Sequence, residues 1–175
     1  MRRAVFGAAL ALTLPCLALS GCGDIKPAPA TPDAAPPAPR DKGLIYVPNP
    51  KATGDQDPLM PRTVPLHRSP TPVRDAVAAL LQDPHGPMPS GTALRGVTLQ
   101  DGLATLDFSG PIIDENGGEG KQSDALGALA RTLGQFPEVK QYQVMVQGKP
   151  VHSFGEAGEI GGPMDVVRPP AGDAP

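Results

Sequence analysis

Between Arg95 and Ser109 apolar and polar residues alternate in two short runs, RGVTLQ and LATLDFS, with Asp101-Gly102 between them. That dipeptide is favoured where both residues of a two-residue turn need positive φ, so the stretch predicts a β-hairpin. With those two residues as the loop, Leu99 lies opposite Ala104 and Val97 opposite Leu106. Both pairs fall on one apolar face, which Phe108 extends, while Thr98, Thr105 and Asp107 point the other way. Two other stretches repeat at helical spacing. Val73, Val77, Leu80 and Leu81 share a face after Thr71-Pro72, an N-cap followed by proline at the first helical position, and Asp83-Pro84 stops that helix. From Ser123, Leu126, Leu129, Ala130 and Leu133 line a second helix, expected to end at Phe136-Pro137.

The remaining apolar runs are short. Leu44 to Val47 reads as a buried strand closed by Pro48. The proline-rich stretch from there to Ser69 is expected to be irregular, with one extended segment around Thr63 to Leu66. Tyr142, Val144 and Val146 alternate and predict a strand that turns near Gln147-Gly148-Lys149 and returns from Val151 to Phe154. Beyond Glu156 glycine and proline dominate, and residues 157–175 are expected to form a flexible tail. The order β-α-β-β-α-β predicts a small two-layer α+β domain over residues 43–156, its antiparallel-rich sheet carrying two helices on one face.

The N-terminus follows a different rule. Arg2-Arg3 precede an apolar run from Ala4 to Leu19 that is too short for a span, is interrupted by Pro15, and has the layout of a secretory signal. Leu19-Ser20-Gly21-Cys22 resembles a bacterial lipobox, which implies removal of residues 1–21 and acylation of the Cys22 sulfur; a structural or free cysteine is the alternative. Each buried methylene contributes about 0.8 kcal/mol, so two or more acyl chains anchor stably where one does not. Residues 22–42 then form a proline- and alanine-rich spacer without an aromatic residue or a periodic apolar face.

Composition narrows the chemistry. Loss of residues 1–21 removes two arginines and takes the formal charge from −3 to −5, which argues against a nucleic-acid partner. Cys16 leaves with the signal and Cys22 carries lipid, so disulfides, thiolate nucleophiles and cysteine-ligated zinc are excluded. His67, His85 and His152 share no metal-ligand spacing. Asp114 to Asp124 is acidic, but a calcium loop starting at Asp114 would have Glu119 at its glycine position and Ala125 at its bidentate glutamate position. A glycosidase-like pair of Asp101 and Asp107 fails on reach, since six strand residues at ~3.3 Å separate carboxylates that chemistry wants within about 10 Å. GxSxG, SxxK and phosphate-loop patterns are absent. No cofactor, metal or catalytic residue is therefore assigned, and the chain is not expected to be an enzyme.

Three blocks carry a family resemblance: AVAALLQDP, then MPSGTALRGVTLQDGLATLDFSG, then ALGALARTLGQFPEVKQYQVMVQGKPV. Together, over about Gly43 to Phe154, they resemble the GerM-type domain of spore formation and germination, most specifically at Pro89-Ser90-Gly91-Thr92, Gly102 to Ser109, Thr132 to Phe136 with Val139, and Gly148-Lys149. The resemblance implies a lipid-anchored or secreted bacterial envelope domain without known catalytic activity, similar in shape to ring-building domains. The expected function is that of a non-catalytic docking module on the extracytoplasmic side of a membrane. Its partner would be an envelope protein or peptidoglycan. An envelope hydrolase or small-ligand binder with a site assembled from distant loops is the alternative, poorly supplied because the chain has no tryptophan for stacking on sugar rings.

Overall fold

The structure, a computed structural model, describes residues 40–66, 70–110, 112, 118–153 and 162–170. Its elements are β1 (Lys42–Pro48), β2 (Leu59–Pro65), α1 (Pro72–Gln82), β3 (Ala93–Gln100), β4 (Leu103–Ser109), α2 (Gly118–Gly134), β5 (Gln141–Val146), β6 (Lys149–Pro150) and β7 (Met164–Asp165). The fold is α+β, as the periodicities imply, and its two helices pack with the strands around one core. From the sheet that core takes Ala104, Leu106, Phe108, Tyr142 and Val144, from α1 Val73, Ala76, Val77 and Leu80, and from α2 Ala128, Leu129 and Leu133.

The predicted hairpin forms in the predicted register, with Leu99 opposite Ala104 and Val97 opposite Leu106. Asp101 and Gly102 take φ of 52° and 85°, the mirror-image turn that suits the strand twist. A bulge at Arg95 then shifts the register so that Leu94, not Arg95, lies opposite Phe108, which keeps the charge off the apolar face. β5 adds to β4 in parallel, Leu106 beside Val144, with α2 as the crossover between them. A second mirror-image turn, Gln147 and Gly148 at φ 51° and 77°, leads into β6.

Several expectations need correction. Among the described residues the strands form two sheets, because β1 pairs there only with β2, and the order gains β2, β6 and β7. β2 covers 59–65, well beyond the extended segment expected at Thr63 to Leu66, and it contains Pro61 and Pro65. Those prolines lie opposite Tyr46 and Lys42, at positions whose missing N–H would point away from β1, where proline is tolerated in an edge strand. α2 begins at Gly118, five residues before Ser123, because its first turns are polar and glycine-containing and show no apolar stripe. The return begins earlier than the expected Val151, as Lys149–Pro150; the Val151 N–H still reaches the Val144 carbonyl at 3.1 Å, Ser153 sits in an isolated bridge, and Phe154 lies outside the described residues. Order also extends past both expected limits: Arg40 is bonded to the domain before residue 43, and within the expected tail residues 162–170 return to the sheet through β7.

β1 explains how a strand of continuous apolar residues can be buried at the edge of a two-stranded sheet. Leu44, Ile45, Tyr46 and Val47 are all buried. The backbone groups of Leu44 and Tyr46 that face away from β2 meet side chains of and just after α2. Gln135 accepts from Leu44 N–H (2.8 Å) and donates to Leu44 C=O (2.7 Å), and Thr132 Oγ1 accepts from Tyr46 N–H (3.2 Å). One glutamine thus replaces a missing strand partner at Leu44, and Thr132 does the same for the Tyr46 N–H.

Candidate functional site

α2 gives the domain two ends. At its C-terminal end the Arg40 guanidinium donates to Gln135 C=O (3.0 Å) and lies 5.7 Å from the Phe136 ring centre. Arg168 donates to the carbonyls of Gly134 (2.9 Å), Phe136 (2.7 Å) and Val139 (2.6 Å). Carbonyls at a helix C-terminus lack intrahelical partners and carry the negative end of the dipole, so two guanidinium groups there are well placed. The segment that leads from Cys22 therefore joins the described domain at this end.

At the other end, Pro48 at the end of β1, the loop residues Gly86 to Ser90, and Lys121 and Asp124 of α2 line a groove of about 440 Å³. From Lys42 to Pro48 along β1, or from Gln135 back to Lys121 along α2, the chain covers roughly 20 Å, so the groove lies about that far from the Arg40 clamp. The loop is shaped by its own hydrogen bonds. His85 N–H donates to Asp83 Oδ1 (2.8 Å), Gly86 N–H to Asp83 C=O (2.9 Å), and the Thr92 N–H and hydroxyl both to Pro89 C=O (3.2 and 2.8 Å). Asp83 also accepts from Arg62 of β2 at 2.5 Å, which ties the loop to the small sheet. Prolines and Met88 give the groove an apolar wall, and Lys121 and Asp124 place both signs of charge at its floor.

Burial raises the Asp124 carboxyl above the ordinary aspartate value. For an acid raised by burial, the folded state favours the protonated form. That contribution is present below the unfolded pKa and is lost as pH rises through the folded one. Asp124→Asn is expected to raise the melting temperature slightly at pH 7 and leave it unchanged near pH 3. Melts at the two pH values check this, and equal shifts at both would contradict it.

The sequence-predicted residues do not gather in this groove. Cys22, His67 and residues 114–117 of the acidic stretch lie outside the described residues. His85 is 68% exposed, with Nδ1 at 3.6 Å from Asp83, and His152 is exposed beyond β6. Asp107 is used locally: it accepts from Gly148 N–H (2.9 Å) and lies 3.8 Å from Arg95 Nε, while Asp101 is consumed by its turn. Among the described residues no three His, Cys, Asp or Glu side chains come together as a metal-binding group. No helix among them is long and apolar enough to cross a membrane. The groove loop had a partial signal in Pro89-Ser90-Gly91-Thr92, but its convergence with Lys121 and Asp124 depends on the helix start at Gly118.

Comparison with known proteins gives consistent results. A family model described as sporulation and spore germination, Germane, matches residues 44–152. The first GerMN domain of the sporulation protein GerM from Bacillus subtilis superposes with a TM-score of 0.57 at 18% identity, covering 71% of this chain and 96% of that one. The tandem GerMN domains of the same protein match with a TM-score of 0.57 at 17% identity, over 71% of this chain and 45% of the tandem. A crystal structure described as "Putative Lipoprotein from Clostridium perfringens" matches with a TM-score of 0.50 at 19% identity, over 71% and 86% of the two chains. No curated protein matches by sequence. With well over half of its length matched, the chain belongs to the Germane family of sporulation and spore germination domains.

Proposed function

We propose that the chain is a lipid-anchored bacterial envelope protein, acylated at Cys22, whose domain works as a non-catalytic docking head with the groove between the 86–90 loop and α2 as its contact. The observation that carries this reading is the separation of the two ends: the spacer joins at the Arg40 clamp, and the preformed groove opens roughly 20 Å away, at the opposite end of α2. A lipid anchor confines the head near other envelope components and raises their effective concentration, so a contact of modest affinity suffices. The family and the described lipoprotein relative support the envelope assignment. An envelope protein fits the mixed wall of prolines, Met88 and charges of both signs better than a glycan does, because the described residues that line it include no aromatic for stacking.

A photo-crosslinking residue placed at Met88 in living cells tests this. The expected result is one discrete adduct with an envelope protein, lost when Cys22→Ala removes the anchor and absent when the same residue replaces the exposed Thr98. An adduct that persists at equal yield without the anchor, or a groove position that captures no protein, would overturn the reading.

A further inference from the structure

Residues 162–170 lie on the domain as a strap, and their contacts resemble those of a bound peptide more than those of a core strand. β7 pairs with the outer edge of β5, Asp165 opposite Gln141 and Met164 opposite Tyr142. The Gln141 side chain donates to Asp165 Oδ1 (3.0 Å), Val166 N–H to Lys140 C=O (3.2 Å) and Val167 N–H to Ala130 C=O (3.1 Å). Met164 and Val166 are half-buried, whereas Asp165 and Val167 are exposed. Arg168 ends the contact in a cage of three carbonyls, those of Gly134, Phe136 and Val139.

Two features make the receiving surface selective. At Gly134 an added Cβ would stand 1.9 Å from Val167 C=O, so the backbone of α2 is open there only for an extended chain lying across it. The three carbonyls accept from two nitrogens of one guanidinium, a planar fork of N–H donors that ammonium does not supply. Strand addition to a sheet edge draws affinity from main-chain bonds and selectivity from alternate side chains, here those at positions 164, 166 and 168.

We infer that the surface formed by Ala130, Gly134, Phe136 and Val139 to Tyr142 is a binding site for extended segments of the pattern apolar-x-apolar-x-Arg, and that residues 164–168 are its resident ligand in cis. A ligand in the same chain as its site competes at a raised effective concentration, which sets the bar for an external segment from a partner protein. Such a segment reproduces every contact of the strap without change elsewhere in the fold. This site is separate from the groove at the other end of α2 and stands whether or not that groove docks a partner.

The test uses the full chain and a fluorescent peptide of sequence GPMDVVRPP, residues 162–170. Arg168→Ala weakens the resident and is expected to bind the peptide at least about tenfold more tightly than the wild type, by anisotropy. Adding Gly134→Ala to that variant abolishes binding, and a peptide with lysine in place of its arginine binds at least about tenfold less tightly. Should Arg168→Ala fail to fold, hydrogen exchange of the wild type decides: Val166 and Val167 amides are expected to exchange at least about a hundredfold faster than Leu106. Equal peptide binding by wild type and Arg168→Ala, indifference to the peptide's arginine, or exchange of the strap only with the core would overturn the inference.

Discussion

Leu106→Asp is expected to abolish folding of the domain, whereas Thr105→Asp, one residue away, leaves it folded with a loss of about 1 kcal/mol or less. Leu106 is completely buried on β4, opposite Val97 and beside Val144, with both helices contributing to the same cluster. The substitution forfeits about 2 kcal/mol of apolar burial and adds a buried carboxylate without a partner, which costs several kcal/mol more. A domain of this size has about 5–15 kcal/mol in total, so little or nothing remains. Thr105 sits on the other face of the same strand and is only half-buried. Chemical denaturation of the two variants checks the assignment, and similar losses for both would mean that the sheet faces the other way.

That facing could be read before the structure because it depended on local rules alone. Asp101-Gly102 sets the turn, the turn sets the register, and the register sets which side chains share a face. The helix α1 was legible for the same reason, from Thr71-Pro72 at one end to Asp83-Pro84 at the other. What escaped were elements whose stability comes from distant partners. β2 was hidden by Pro61 and Pro65, which normally argue against a strand and are harmless here only because of the side of β1 on which they fall. β7 was hidden by its setting among glycines and prolines, and its reason to exist lies in the carbonyls around Gly134, thirty-odd residues earlier. The first turns of α2 carry no apolar stripe, and with them the floor of the groove was lost to view.

The site residues follow the same division. Cysteine arithmetic and histidine spacing read the chain as a set of candidate reactive groups, yet the polar side chains with the most structural consequence are Arg40, Asp83, Gln135 and Arg168, each bonded to backbone or to another element. Arg40 and Arg168 lie outside the blocks that carry the family resemblance, and Asp83 and Gln135 lie inside them with nothing in the spacing that foretells their bonds. Their roles depend on three-dimensional neighbours, and two of them, Arg40 and Arg168, fasten opposite ends of the described chain to the same helix terminus. The described residues nearest the spacer and the tail are thereby held at one end of α2.

Gln135 supplies the other large expected effect. Its side-chain amide pairs both Leu44 N–H and Leu44 C=O, and it also donates to Thr132 C=O (2.7 Å). Gln135→Leu keeps most of the volume and removes all three bonds, so it leaves two β1 backbone groups unpaired inside the core. At about 1–3 kcal/mol for each stranded group, the loss is expected to be about 2–6 kcal/mol. Thr132→Val removes one longer bond to Tyr46 N–H and is expected to cost about 1–3 kcal/mol. The double variant should lose less than the two single losses added together, because once β1 is freed along one part of its edge the second bond no longer holds a fixed strand. Urea titrations of the three proteins measure this directly. A Gln135→Leu domain as stable as the wild type would show that β1 is held by its apolar contacts alone, and that the buried glutamine does not substitute for a strand.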